Sequence, residues 1–298
     1  MVAPVSRRRP RAAPDRHMSW RAAAGGVLAL LLIAGCTPLE GLQSSLIFRP
    51  SEQQLNIDAS ARAQMEEVWI DFVSTASGKP VRLHGLWQAA EQADAPVILF
   101  LHGARWDVTS SSYRFRRLRE LGFAVLGIDY RGFGKSTAEP PTETFAYEDA
   151  RAAWAWLARQ HPERARFVYG HSLGGAIAID LASTVDDEHG VVVEGSFTSI
   201  PDVFSSFRLG WLPLGPIITQ RFDSIAKVAR LGSPLLVLHG SRDTLIEPAL
   251  GQRLYAAAAE PKRFVLLEGG THRNAQNAGA DQYAPVLAEL FKLRQGRP

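Results

Sequence analysis

A serine between two glycines is the residue most able to do chemistry in this chain. Ser172 lies in Gly170-His171-Ser172-Leu173-Gly174, which follows an apolar, β-branched run and precedes a run of small residues with helical spacing. A strand that turns sharply into a helix at such a serine raises the hydroxyl above the sheet and leaves the next backbone N–H free at a helix N-terminus. The motif and its flanks therefore predict a nucleophilic serine.

A serine nucleophile needs a histidine base, and the base needs a carboxylate that fixes its orientation. Asp243 follows one buried apolar run, and His272 follows a second, later run. Both residues come just after a predicted strand, where open parallel sheets place their functional loops. The order Ser, Asp, His suits a serine on a strand-to-helix turn. We predict Ser172 as nucleophile, His272 as general base and acid, and Asp243 as the residue that orients His272, with Glu247 as the rival carboxylate.

Acyl transfer through a serine also needs two backbone N–H donors for the oxyanion of the tetrahedral intermediate. The N–H of Leu173, directly after the serine, is one candidate. The other is expected in the loop after an earlier strand, and the run 97–101 is followed by His102-Gly103-Ala104. Gly103 permits a tight turn, so we predict the N–H of Ala104 as the second donor.

Apolar runs that alternate with helical patterns indicate the fold class. Runs that are apolar throughout are typical of strands buried on both faces, so the pattern predicts an α/β fold with a mostly parallel, doubly covered sheet. An apolar segment interrupted by Gly and Pro, about 196–229, lies between two of the predicted strands; part of it must be core, and the remainder is expected to line an acyl pocket or to touch a bilayer. After a hairpin that turns at 77–80, predicted strands lie near 97–101, 123–129, 166–169, 190–194, 234–239 and 263–267, and predicted helices near 111–121, 145–160, 173–184, 248–259 and 281–293.

Together these motifs resemble those of serine-nucleophile α/β-hydrolases, and most of all the Bem46-like branch and the related serine-aminopeptidase-like hydrolases. The resemblance covers about residues 46–293 and implies the α/β-hydrolase fold with a small cap. Two departures stand out: Arg105-Trp106-Asp107-Val108 replaces a short Asn/Gly-rich stretch, and the family's usual proline is absent at Gly195-Ser196-Phe197. The matching stretches are 46–50, 101–103, 129–136, 170–175 and 194–199, with the loops of Asp243 and His272.

The N-terminal residues form a separate signal. Six arginines and one acid in residues 7–21 precede a 14-residue apolar run that ends at Cys36. A bilayer crossing takes about 20 residues, so the run fits the apolar part of a signal peptide better than a span. The ending Leu32-Ile33-Ala34-Gly35-Cys36 resembles a bacterial lipobox, which implies cleavage before Cys36 and lipidation of its sulfur. We predict a signal peptide over 1–35 (with 1–17 read as an upstream mis-start), a lipid-anchored tether over 36–60 and a hydrolase domain over 61–298.

Charge and the remaining motifs narrow the function classes. The chain has 33 basic and 30 acidic residues; removing residues 1–35 leaves 27 against 29, so the mature body has no excess of positive charge for nucleic acid. There is no P-loop, dinucleotide-binding glycine signature or CxxC, and His102, Asp129 and His171 are not spaced as metal ligands, so we expect no metal or cofactor. The expected protein is an envelope serine hydrolase with an ester or acyl substrate and a membrane anchor. The alternatives are a peptidase or amidase of the same fold and a non-catalytic surface module.

Overall fold

The fold is built on a mostly parallel sheet. The computed structural model describes residues 39–50, 64–207 and 215–293. Within them the strand order is β1-β2-β4-β3-β5-β6-β7-β8, with β2 antiparallel to both neighbours and the other pairs parallel. The predicted hairpin and six later strands are present, with bounds within two residues of those expected. The strands are β1 (Glu66–Val73), β2 (Pro80–Gln88), β3 (Val97–Leu101), β4 (Ala124–Ile128), β5 (Arg166–His171), β6 (Glu188–Glu194), β7 (Leu235–Gly240) and β8 (Lys262–Leu267).

Helices follow most of the strands, and the five predicted ones are α1, α2, α3, α5 and α7. The sequence does not predict the short helices α4 and α6, because a segment of so few residues is too short for a helical period to be recognised. A serine side chain begins α4: the Ser199 hydroxyl accepts a hydrogen bond from the N–H of Asp202 at 3.2 Å. Residues 39–47, before β1, are also helical. The helices after β1 are α1 (Ser112–Glu120), α2 (Glu143–Gln160), α3 (Leu173–Ala182), α4 (Ile200–Ser206), α5 (Pro248–Ala257), α6 (Ala275–Ala278) and α7 (Ala280–Leu290).

The sheet has a hydrophobic core on each face, as the continuous apolar strands predicted. Along β3, residues 97, 99 and 101 pack into one core and residues 98 and 100 into the other, because successive side chains of a strand point to opposite faces. Helices α2, α3 and α5 cover the first core, and α1 and α7 cover the second. Both faces are therefore covered, and the predicted α/β fold with a mostly parallel, doubly covered sheet is confirmed.

A segment before the first strand contributes to one of these cores. Phe48 is fully buried, and its ring centroid lies 5.7 Å from that of Phe222 and 6.2 Å from that of Phe133. The carbonyl of Phe48 also accepts a hydrogen bond from the N–H of Arg105 at 2.8 Å. Residues 43–50 therefore belong to the compact hydrolase unit, although the sequence analysis placed them in the tether. The burial of the Phe48 ring accounts for this difference between the predicted and the observed boundary.

The predicted cap lies between β6 and β7. Its described residues include α4 and two single turns of 3-10 helix, Gly215–Ile217 and Val228–Arg230. Phe222 is buried in the core below, whereas Phe207 and Ile217 are about half exposed. Part of the segment is thus core and part faces outward; residues 208–214 lie outside the described residues, as do the predicted signal peptide and Cys36. In the part of the chain that is described, no helix has the length and apolar character needed to cross a bilayer.

Candidate active site

Ser172 occupies the turn between β5 and α3. Its backbone has φ 56° and ψ −119°, a conformation that a non-glycine residue adopts only when the surroundings impose it. One constraint is the hydrogen bond from its N–H to the carbonyl of Glu194, at 2.8 Å. Another is Gly174, where an added Cβ would lie 2.0 Å from the carbonyl oxygen of Leu101, so only glycine lets α3 approach the end of β3 this closely. This close approach explains why a glycine stands two residues after Ser172 in the sequence.

The structure brings together the three side chains that the sequence predicted to act as a unit. Nε2 of His272 lies 2.9 Å from Oγ of Ser172, and Nδ1 of His272 lies 2.8 Å from Oδ2 of Asp243. Asp243 follows β7 and His272 follows β8, so adjacent parallel strands deliver both residues to one edge of the sheet. The rival Glu247 is exposed and stands at the N-terminal end of α5; Asp243 is the carboxylate that contacts His272.

The surroundings of Asp243 keep it charged. Its Oδ1 accepts hydrogen bonds from the backbone N–H groups of Leu245 and Ile246, both at 2.9 Å. Burial acts to raise the pKa of Asp243, but the imidazoles of His239 and His272 and the N–H of Ile246 outweigh burial and hold the pKa well below its usual range. An ionised carboxylate can accept the Nδ1–H of His272 and leave Nε2 unprotonated, which is the tautomer that a general base needs.

The loop that carries Ala104 passes directly beside the serine. A Cβ added to Gly103 would lie 3.1 Å from Cβ of Ser172, so the backbone at Gly103, directly before Ala104, borders the serine. The following residue, Arg105, is tied to the core by its N–H bond to Phe48, described above. Leu173 is the first residue of α3, where helix geometry leaves a backbone N–H without an intrahelical acceptor. One predicted oxyanion donor, Ala104, therefore lies on the loop beside Ser172, and the other, Leu173, directly follows the serine at the start of α3.

Asp129 holds the base of the same loop. Its Oδ1 accepts the N–H of Val108 at 2.6 Å, and its Oδ2 lies 2.8 Å from Nδ1 of His84. Burial lowers the pKa of His102 in spite of the nearby Asp129 carboxylate, and Nδ1 of His102 donates to the carbonyl of Gly103 at 2.7 Å. These polar groups shape the loop. In the described ranges, no three His, Cys, Asp or Glu side chains are grouped so that they could hold a metal ion.

Sequence reasoning gave no catalytic role to two residues that adjoin the elbow. Nε2 of His171 donates to the carbonyl of His272 at 2.9 Å, so the residue before the serine contacts the loop of the predicted base. Glu194 ends β6 fully buried, and its carboxylate contacts side chains and backbone from three other elements. A glutamate that directly follows three valines in a buried strand was the available signal for it.

Known proteins resemble both the sequence and the fold. A family model described as "Serine aminopeptidase, S33" matches residues 92–225. The uncharacterized protein Rv2307c of Mycobacterium tuberculosis is 36% identical over 237 residues, which are 78% of this chain and 82% of that protein. Lysophosphatidylserine lipase ABHD12 of Danio rerio is 29% identical over 245 residues, 72% of this chain and 62% of the lipase. This chain thus matches less than two thirds of the lipase.

A solved structure shares the fold of this chain. The esterase Pf2001 of Pyrococcus furiosus superposes with a TM-score of 0.64 and 19% sequence identity, covering 83% of this chain and all of the esterase. At that identity the comparison shows the fold alone, whereas the identity to Rv2307c over most of both chains shows common family membership. The family model, the relatives and the sheet topology together identify the family to which this chain belongs. This chain belongs to the α/β-hydrolases.

Proposed function

We propose that this protein is a lipid-anchored serine hydrolase of the Bem46-like branch that cleaves ester or related acyl bonds through an acyl-enzyme. The observation that carries the proposal is the continuous contact from Ser172 through His272 to Asp243, with heavy-atom distances of 2.9 and 2.8 Å. These distances fall within the range that proton transfer between a nucleophile and its base requires.

In the first half of the proposed reaction, Oγ of Ser172 attacks the substrate carbonyl and its proton moves to Nε2 of His272. The resulting oxyanion accepts hydrogen bonds from the N–H groups of Ala104 and Leu173. The carbonyl then re-forms, the bond to the leaving group breaks, and the leaving oxygen takes the proton from Nε2. The ionised Asp243 stabilises the imidazolium that exists between these two proton transfers.

In the second half, a water molecule takes the position of the leaving group. It gives a proton to Nε2 of His272 as its oxygen attacks the acyl carbon, and the same N–H donors hold the second oxyanion. The bond to Oγ of Ser172 breaks, Oγ recovers the proton, and the acid product leaves. Ser172 and His272 thus return to their starting protonation states.

The charges beside the serine support an ester substrate over a peptide with a free amino terminus. Residues next to the proposed donor and base are cationic: Arg105 is exposed, and the guanidinium carbon of Arg273 lies 4.3 Å from the ring centroid of Trp106. An aminopeptidase needs carboxylates that can bind a substrate ammonium group. Two carboxylates beside the elbow, those of Asp243 and Glu194, are already engaged by His272 and by Arg114. Because the matching family model is named for a serine aminopeptidase, peptidase activity is the second candidate.

Substrate preference can be measured on purified protein with p-nitrophenyl esters of increasing acyl length and with aminoacyl p-nitroanilides. We expect turnover of the esters and none of the anilides above the rate with the Ser172→Ala variant, because amide cleavage requires protonation of a poorer leaving group. The Ser172→Ala variant supplies the matched background for both series. Turnover of the anilides at rates equal to those of the esters would establish the peptidase alternative.

The proposed membrane anchor rests on the sequence before the described residues. Cys36 is the only cysteine of the chain and directly follows the lipobox-like ending of the apolar run. Buried methylene groups contribute about 0.8 kcal/mol each, so the several acyl chains of a lipoprotein hold a membrane far more firmly than one myristoyl chain. Thr37 stands at the position where an aspartate would commonly retain a lipoprotein at an inner membrane. We therefore propose the periplasmic side of an outer membrane as the location.

Cells that express the full chain can be labelled with a clickable palmitate analogue and fractionated. We expect the wild type to carry the label and to sediment with membranes. The Cys36→Ser variant is expected to lose the label and to remain as an uncleaved precursor or in the soluble fraction. An unlabelled wild type in the soluble fraction would overturn the anchor and leave the proposed hydrolase activity untouched.

A further inference from the structure

We infer that Glu194 and Arg114 are positioning residues, which hold the loop of His272 in register with Ser172 through a buried ion pair. The inference rests on the proposed function, since it concerns the geometry of the proposed base and nucleophile. These two side chains form the Glu194–Arg114 pair.

The pair joins α1 to the end of β6 away from solvent. Nε of Arg114 donates to Oε2 of Glu194 at 2.9 Å, and Nη2 donates to Oε1 at 3.1 Å. The side chains are 4% and 0% exposed. A buried ion pair loses so much hydration that replacing it with apolar residues is often neutral or stabilising, so stability alone is a weak explanation for it. Its other contacts indicate a different role.

The pair also bonds the hydroxyls of Tyr113 and Tyr169, and two further hydrogen bonds go to the loop of the proposed base. Nη2 of Arg114 donates to the carbonyl of Arg273 at 3.3 Å, and Oε1 of Glu194 accepts the N–H of Gln276 at 3.1 Å. The hydroxyl of Tyr113 donates to the same Arg273 carbonyl at 2.7 Å. The backbone just after His272 is therefore bonded at two points to a rigid, buried group.

Glu194 also contacts the nucleophile. Its backbone carbonyl accepts the N–H of Ser172, at 2.8 Å, while its carboxylate holds Gln276. Strand β6 lies between β5, which ends at the serine, and β7, which leads to Asp243. A single residue on the middle strand thus links the nucleophile to the loop of its base. Loss of its carboxylate would release the loop while leaving the elbow intact.

The protonation states of Glu194 and His171 suit these hydrogen bonds at neutral pH. Burial acts to raise the pKa of Glu194, but Arg114 and the neighbouring polar groups outweigh it and lower the pKa to about 2. Burial, together with Arg114, lowers the pKa of His171 to about 3, so His171 stays neutral and its Nε2–H donates to the carbonyl of His272. Neither residue reaches Oγ of Ser172 as His272 does. Their effect on the reaction is exerted through His272.

The test uses the Glu194→Gln variant of the full chain and a short p-nitrophenyl ester. Misplacement of a catalytic group by about 1 Å can cost on the order of 10²-fold in rate, so we expect kcat to fall by about 10- to 100-fold with KM little changed. The rate constant for fluorophosphonate labelling should fall in parallel. Arg114→Lys keeps the charge but loses the two-pronged contact with the carboxylate, so a smaller loss is expected from it.

A double-mutant cycle with His272→Ala separates positioning from general damage. If the pair acts through His272, Glu194→Gln should have little further effect on the residual turnover of the His272→Ala variant. The control is a second buried pair, in which Nε of Arg131 lies 2.8 Å from Oδ1 of Asp149 and both side chains are fully buried. Asp149→Asn should lower the melting temperature without a change in kcat per folded molecule.

Three outcomes would overturn the inference: an unchanged kcat in Glu194→Gln, an equal loss in the His272→Ala background, or an equal kcat loss in Asp149→Asn. If Glu194→Gln does not fold, the same comparisons of kcat are made with Arg114→Lys. A wild type that neither labels nor turns over any ester refutes the proposed function itself, and that result is distinct from an active wild type whose Glu194→Gln variant is equally active.

Discussion

Replacement of Ser172 by alanine is expected to abolish fluorophosphonate labelling and to lower kcat for ester hydrolysis by about 10⁴ to 10⁶. The alanine removes the Oγ atom that lies 2.9 Å from Nε2 of His272 and keeps the Cβ and backbone of the elbow. The backbone N–H bond to Glu194 is retained. The far-UV circular dichroism spectrum and melting temperature should therefore match those of the wild type, which would assign the loss of rate to the missing nucleophile.

Ser183→Ala is the matched control for this experiment. Ser183 lies at the other end of α3, where its hydroxyl donates to the carbonyl of Asp180 at 2.8 Å. We expect this variant to label and to hydrolyse esters like the wild type. Ester turnover by Ser172→Ala within tenfold of wild type would refute the assignment of the nucleophile. A folded wild type that neither labels nor hydrolyses any ester would favour the non-catalytic surface module.

Replacement of Asp243 by asparagine is expected to lower kcat by about 10³ to 10⁴. Oδ1 of Asp243 accepts two backbone N–H bonds, from Leu245 and Ile246. An asparagine should keep its carbonyl oxygen there, which turns its amide nitrogen toward Nδ1 of His272. That nitrogen donates and cannot accept, so the imidazole takes the tautomer with the proton on Nε2. A protonated Nε2 cannot remove the proton of Ser172.

Glu247→Gln is the control for the Asp243 variant, since it makes the same change of carboxylate to amide at the rival position. Glu247 is exposed at the start of α5, so we expect turnover close to that of the wild type. Steady-state kinetics with one ester measure all three proteins under the same conditions. A larger loss from Glu247→Gln than from Asp243→Asn would move the orienting role to Glu247.

Much of this fold could be predicted because its signals are local. Strands buried on both faces must be apolar at every position, so runs such as 97–101 and 235–238 are visible without any partner. Long amphipathic helices, such as α2, show their period in the same way. The elbow at Ser172 is visible because close packing against Leu101 demands glycine at a set distance from the serine. Asp243 and His272 could be proposed because they follow strands.

Contacts between distant residues could not be predicted in this way. Nothing in the sequence near Phe48 shows that its ring packs against Phe133 and Phe222, and the range 36–60 therefore looked like a tether. Helices α4 and α6 have seven and four residues, which is too short for a helical period to be recognised. Their formation depends on the strands and loops around them.

The amino-acid sequence by itself determined the fold class, the strand-to-helix turn at Ser172 and the order of the three candidate residues, since each follows from local side-chain size and polarity. Only the tertiary structure decided that Arg114 pairs with Glu194, 80 residues away, and that both then hold the loop of His272. An ion pair of this kind depends on which strands are neighbours in the sheet. The order of strands is a property of long-range packing, and local patterns of apolar and polar residues do not contain it.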